Sequence, residues 1–218
     1  MTPAPGGSLP LVAIYADESC LGNGREGSNP GGAAGVIEYE RETSGVREVS
    51  RWDYWISEPA TTNNRMALRS VIEAFNAISR KGRFFRVLFT SDSQYLVKGM
   101  NDWVYGWMSR GWKRKGGEIE NLDLWKQAVE VVRGHQASFQ WVRGHRGHPQ
   151  NEYANHLATR AAREQSQSDG LVPSQFAEWL ASERAKGRMT MEPVGFPEGA
   201  GFRPIRPYPV VKGPTLIT

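Results

Sequence analysis

The stretch that most constrains the fold is Leu11 to Asn23 (LVAIYADESCLGN), an apolar run that ends in an acidic pair and a Gly/Asn turn. Its Val12, Ile14 and Tyr15 predict a short strand buried on both faces. A carboxylate at the end of such a strand, Asp17, lies where ligand sites of α/β sheets form. The same pattern returns at Phe84 to Tyr95 (FFRVLFTSDSQY), where a second apolar strand meets Asp92 and then Ser93, a residue suited to capping a helix. If the two strands are adjacent and parallel, Asp17 and Asp92 stand side by side, a hard-oxygen pair suited to Mg²⁺ or Mn²⁺. Taken singly, each Asp reads more readily as a strand-ending or capping residue; the pair in this context does not.

Between these strands, Gly24 to Gly32 reads as a flexible loop, and Ala33 to Tyr39 and Arg47 to Ser57 read as two further strands. Short connections make the first three strands an antiparallel meander. Thr62 to Arg80 is helical, with Met66, Leu68, Val71, Ile72, Phe75 and Ile78 on one broad face. After the Asp92 strand come a short helix towards Asn101, a Trp-rich basic segment (Trp103 to Gly117), a helix from Leu122 to Arg133, a strand from Ala137 to Val142, and a helix from Asn151 to Glu164. Strands that follow helices can run parallel to the first through right-handed crossovers. The expected fold class is therefore α/β, a five-stranded mixed sheet flanked by helices, with strands 4 and 5 parallel to strand 1.

Residues 1–10 form a leading segment, 11–165 the folded domain, and 166–218 an extension. In the extension a short helix over Ser174 to Lys186 precedes a tail holding six of the chain's 13 Pro, expected to be disordered or to lie extended on the domain. Deleting Gly170 to Thr218 is expected to leave the chemistry intact. No run approaches a membrane span, and the first ten residues lack the pattern of a signal peptide. Cys20 is the single cysteine, so no intrachain disulfide framework exists and a cytoplasmic location is expected. The formal charge of +4 is compatible with nucleic acid but does not argue for it unaided.

Together, DESCLGN, NPGG, TTNNRM, TSDSQY, the Trp-and-basic segment, NLDLW and WVRGHRGHPQNEYAN, in that order, resemble type 1 ribonuclease H over roughly Leu11 to Glu164. The resemblance implies the ribonuclease H-like fold and a metal-dependent endonuclease cutting the RNA strand of an RNA–DNA hybrid. In such a site two ions, about 4 Å apart, activate the attacking water and stabilise the leaving oxygen. By motif, Asp17 would bridge the metals, Asp92 would be a second ligand, and His145 would assist proton transfer or product release. His135 and His148 remain structural. The expected partner is an RNA–DNA hybrid, with no membrane, no small-molecule cofactor and a monomeric chain.

Two positions depart from the family pattern. Ala67 stands where the family has Glu, and Asn155 where it has Asp, so the aligned positions carry two negative charges instead of four. Asn155 can still offer an amide oxygen to a hard cation; Ala67 can offer nothing. Glu18 is a possible substitute, but adjacent strand residues point to opposite faces, so it reaches the site only if the strand has already turned. Glu73 lies on the wrong side of its helix, and Glu152 is no evident replacement. Ala67→Glu is then expected to raise the rate.

On the substrate side, the resemblance assigns Asn23, Asn63, Asn64, Asn121 and Gln94 to reading minor-groove hydroxyls and base edges; amides can meet both roles of a 2′-hydroxyl. Lys113, Arg114 and Lys115 would grip phosphates, with Trp103 and Trp107 as packed support. Two further readings stay open: a catalytically inactive hybrid-binding protein of the same fold, and another nuclease or strand-transferase of that fold.

Overall fold

A computed structural model describes residues 9–22, 29–80, 82–144 and 146–209. Strand β1 (Leu11–Cys20) pairs antiparallel with β2 (Gly31–Thr43), which pairs antiparallel with β3 (Val46–Glu58). Strand β4 (Arg86–Ser91) runs parallel to β1 on its other side, and β5 (Gln136–Trp141) runs parallel to β4. The alternation within β1 is absent because both its faces are covered: Ile14 packs with the Phe75 and Phe89 cluster, while Ala13 and Tyr15 pack beneath Tyr153 and Leu157.

One face is covered by α1 (Asn63–Ser79) and α4 (Leu122–Val132), the other by α5 (Pro149–Glu164). Thr62 starts α1 by accepting a hydrogen bond from the Arg65 amide, and Ser93 does the same for Leu96 at the start of α2 (Gln94–Lys98). The segment after Asp92 is longer and more helical than expected. A single π-turn, Gly99–Trp103, closed by the Val104 amide donating to the Gly99 carbonyl, joins α2 to α3 (Val104–Ser109). Gly99 has no room for a side chain there, since a Cβ would stand 1.9 Å from the Trp125 ring.

Two expectations need correction. Gly31 and Gly32, read as the end of a loop, open β2; a Cβ at Gly32 would meet the Ala158 carbonyl oxygen of α5 at 2.2 Å, so the glycine lets helix and strand touch. The sheet also has six strands rather than five, in the order β5-β4-β1-β2-β3-β6. The sixth, β6 (Val172–Pro173), comes from the extension and pairs with Trp52 and Asp53 of β3. Two residues of strand, one of them Pro, leave little sequence signal.

Up to residue 209 the extension lies on the domain. Helix α6 (Phe176–Ala185) buries Phe176 and Leu180 against Tyr153 and Leu157. Buried Asp53 accepts hydrogen bonds from the Tyr153 hydroxyl and the Gln175 amide, which ties the start of α6 to β3. Farther on, the buried Gln150 side chain clasps the Val194 backbone through two hydrogen bonds, of 2.7 and 3.1 Å. Ile205 donates to the Ala137 carbonyl at 2.7 Å, and Tyr208 is buried with its hydroxyl on the Met100 carbonyl at 3.0 Å. Among the described residues, no helix is long and apolar enough to cross a membrane.

Candidate active site

The last paired residues of β1 and β4 are Ala16 and Ser91. Beyond them β1 continues along β2 to Cys20, while the chain of β4 turns away into the Ser93 cap of α2. The divergence opens a gap at the strand ends, and the side chains of Asp17, Glu18 and Asp92 converge there. Each offers a carboxylate oxygen, and these oxygens lie within 4.8 Å of one another. Alternation along β1 argued against Glu18. It reaches the others because β4 has ended beside it, so Asp92 sits in the gap rather than on one face of a continuous sheet.

Neighbouring groups fix each carboxylate. Asp17 Oδ1 accepts from the Glu18 amide at 2.7 Å, and Oδ2 accepts from the Asn151 side chain at 3.3 Å. Glu18 accepts from the Ser93 side chain. Asp92 is held by its own backbone, whose carbonyl accepts from the Trp141 indole at 2.9 Å, and it is closely overlaid by Gly144: a Cβ at that position would lie 2.0 Å from Asp92 Oδ2.

Crowding three carboxylates in a partly buried gap makes their ionised forms costly. Burial, then the charges of Asp92 and Glu18, raise Asp17 to about 9; burial, then Asp92, raise Glu18 to about 8. At separations of no more than 4.8 Å, and with an effective dielectric near 20, an ionised pair repels by at least roughly 3.5 kcal/mol. A divalent cation relieves that repulsion, and an all-oxygen donor set suits Mg²⁺ or Mn²⁺. The residues present therefore fit the metal that the sequence implied.

Ala67 is fully buried in the apolar cluster around Leu68, Val71 and Phe75. Asn155 lies half-buried one helical turn beyond Asn151 on α5 and borders the same cleft as Glu152, whose charge also acts on Asp17. Asn151 itself went unnoticed in the sequence. Its position four residues before Asn155 was the available signal, since that spacing repeats a helix face. His145 and Asn23 lie outside the described residues. His148 caps α5 by accepting from the Asn151 amide, and His135 is held between Ser79 and the Phe85 amide, with burial lowering it to about 4.

Of the other expected residues, Asn63 and Asn64 open α1, with the Asn63 side-chain oxygen buried and unpartnered among the described residues. Asn121, in left-handed conformation at the start of α4, donates to the Tyr95 hydroxyl at 3.3 Å and accepts from Arg65 at 3.5 Å. Arg65 was not anticipated. Gln94 is exposed and accepts from Lys98. Trp103, expected as packed support, is 38 % exposed but packs its ring edge-on against Tyr95 at 5.8 Å and beside Trp107 at 5.9 Å, while Trp107 is half-buried against Trp125. Together with Tyr95 and Arg114 these two rings line a cavity of about 280 Å³, and Lys113 and Lys115 stand exposed beside it.

The ribonuclease H family model matches residues 10–163, which takes in every strand of the meander, both parallel strands and all but the last residue of α5. The chain belongs to the ribonuclease H family. Curated relatives named Ribonuclease H agree: one from Stutzerimonas stutzeri is 43% identical over 150 residues, covering 68% of this chain and 89% of the relative. Another, from Pelobacter propionicus, is 38% identical over 164 residues, covering 75% and 91%. Among solved structures, LC9-RNase H1, described as a type 1 RNase H with the type 2 active-site motif, is 60% identical with a TM-score of 0.85, covering 94% of this chain and 97% of that one. That coverage runs well past the family match, so this ribonuclease H shares most of its extension with at least one relative. Membership makes the chain an endoribonuclease of the family that cuts RNA in RNA–DNA hybrids.

Proposed function

We propose that the chain hydrolyses the RNA strand of RNA–DNA hybrids in a reaction dependent on Mg²⁺ or Mn²⁺, with Asp17, Glu18 and Asp92 as the charged metal ligands and Asn155 as a neutral one. The observation that carries this reading is the convergence of three carboxylates at the diverging ends of β1 and β4. Glu18 takes the place of the carboxyl that Ala67 lacks, so the site offers a cation three carboxyl ligands rather than two. A relative described as a type 1 RNase H with the type 2 active-site motif agrees with a site whose carboxylates depart from the type 1 positions.

Bound cations would supply Lewis-acid activation of water and neutralise charge developing on the leaving oxygen. The chain's own part is to place them. Asn151 and the Glu18 amide orient Asp17, Ser93 orients Glu18, and Gly144 lets the loop close over Asp92. The products are a 3′-hydroxyl and a 5′-phosphate, with His145 assisting proton transfer or product release. Asn63, Asn64, Gln94, Asn121 and Asn23 would distinguish RNA by its 2′-hydroxyls, and the Trp103–Trp107 cavity with Lys113, Arg114 and Lys115 would take the DNA strand.

The test is cleavage of an end-labelled hybrid under Mg²⁺ and Mn²⁺ titration, with Asp92→Asn as control. Cutting of the RNA strand by the wild type alone supports the reading. Tight hybrid binding without cutting in either metal would instead favour the inactive binding protein, and equal binding of hybrid and DNA duplex would undercut both.

A further inference from the structure

Helix α5 runs past the site. From Asn155, its Thr159, Arg160 and Arg163 form one wall of a cleft of about 540 Å³; the opposite wall is the extension, with Trp179 and Glu183 on α6 and Lys186 and Arg188 just beyond it. The mouth of the cleft is bordered by Glu152 and Asn155, so it opens from the catalytic end of the sheet. Away from that mouth, four cations (Arg160, Arg163, Lys186, Arg188) face two carboxylates (Glu164, Glu183), a surplus of two positive charges. Glu183 is already engaged by Lys186 at 2.8 Å and Arg188 at 3.9 Å. Arg160 is steadied 5.1 Å over the Trp55 ring, and the half-buried Trp179 presents an indole to the cleft.

Eight residues of helix separate Asn155 from Arg163, about 12 Å along the axis. That is the reach of two to four successive phosphates of a strand leaving the metal site. We propose that the cleft is a subsite for the cleaved strand beyond the scissile phosphate, its four cations holding the sugar–phosphate backbone and Trp179 offering an apolar surface to a sugar or base. This deepens the hybrid-cleavage reading and rests on it. It also makes α6 and the residues after it part of the substrate interface as well as part of the core.

The experiment uses the full chain and hybrids in which a short ribonucleotide block fixes the cut, the cleaved strand being either long on both sides or cut back on one. The double variant Arg163→Ala, Arg188→Glu is expected to raise KM about tenfold on the long substrate, with kcat within about twofold. It should also flatten the dependence of log KM on log salt by about two. On the substrate cut back on the cleft side, variant and wild type should converge. Arg188→Glu alone, at a side chain 71% exposed, should raise KM about threefold at unchanged Tm, and it serves if the double variant does not fold. Unchanged KM and salt slope in a folded variant, or an equal loss on both substrates, would overturn the subsite and leave cleavage standing. A wild type that cuts no hybrid would overturn both.

Discussion

Replacing Glu18 with Gln keeps the shape and the partner to Ser93 while removing one of three crowded ionisable carboxyls. Folding raises Glu18 from its ordinary 4.5 to about 8. Between those values the folded state holds a proton that the unfolded state has released, so metal-free stability falls as pH rises through that window. Each pH unit costs about 1.4 kcal/mol, which bounds the cost at pH 7 near 3 kcal/mol and at pH 5 near 0.7 kcal/mol. Glu18 is only half-buried by area, and solvent screening brings the pH 7 figure to about 1–2 kcal/mol. In EDTA at pH 7, Glu18→Gln should therefore raise Tm by about 2–8 °C, a gain that nearly vanishes at pH 5. The same variant should lose the Tm response to Mg²⁺ and more than about 100-fold of its hybrid cleavage, since even outer partners of a metal site are worth 10–100-fold. Wild-type cleavage and an unchanged Mg²⁺ response would remove Glu18 from the site. A lower Tm in EDTA at pH 7 would refute the repulsion argument.

Gly144→Ala drives a methyl against the Asp92 carboxylate and should weaken Mg²⁺ affinity, measured by calorimetry, by about tenfold while changing the EDTA Tm little. Ala67→Glu, expected from the sequence to raise the rate, should instead lower Tm by several degrees and leave cleavage no faster, because it buries a carboxylate in the apolar cluster where α1 packs. For the wild type, the Tm gain from Mg²⁺ should grow from pH 6 to pH 9, because binding must displace protons from Asp17 and Glu18, held at about 9 and about 8; a gain independent of pH would contradict those shifts. Deleting residues 170–218 removes Phe176, Leu180, Met189 and Tyr208 from the interior. Their loss should lower Tm by more than about 10 °C in thermal melts, whereas the sequence expectation concerned the cleavage chemistry alone.

Much of this was legible because it depends on local rules. Apolar runs, Ser and Thr caps and helix-face spacing identify β1, β4, α1 and α5, and adjacency of the two parallel strands then brings Asp17 to Asp92. What escaped depends on where a neighbour stops. The alternation rule for Glu18 assumes a continuous partner on each side, and the sequence of β1 carries no mark of β4 ending at Ser91. Asn151 could be placed on the Asn155 face, but its hydrogen bond to Asp17 depends on how α5 crosses β1. The tail was obscure for a different reason. Its order comes from single anchors, the Gln150–Val194 clasp and the buried Tyr208, spaced too irregularly to make a period.

Ala67 and Glu18 are best understood as one arrangement rather than as a loss and a coincidence. A metal site of this kind is limited from both sides: too few carboxylates bind weakly, and too many repel before any cation arrives. With Glu18 in the gap, three carboxyls already crowd it and Asp17 and Glu18 are pushed to about 9 and about 8, while a Glu at position 67 would bury a further carboxyl in the apolar core. Alanine there returns the first turns of α1 to the core, where Met66, Ala67 and Leu68 are wholly buried. On the opposite wall, α5 meets the cluster with the amide of Asn151, which donates to Asp17 at 3.3 Å whatever the pH and adds no charge. The charge has thus moved from a helix onto the strand that already carries Asp17. The prediction that separates this view from simple decay of the site is the pair of variants already described: Glu18→Gln must abolish cleavage, and Ala67→Glu must fail to improve it.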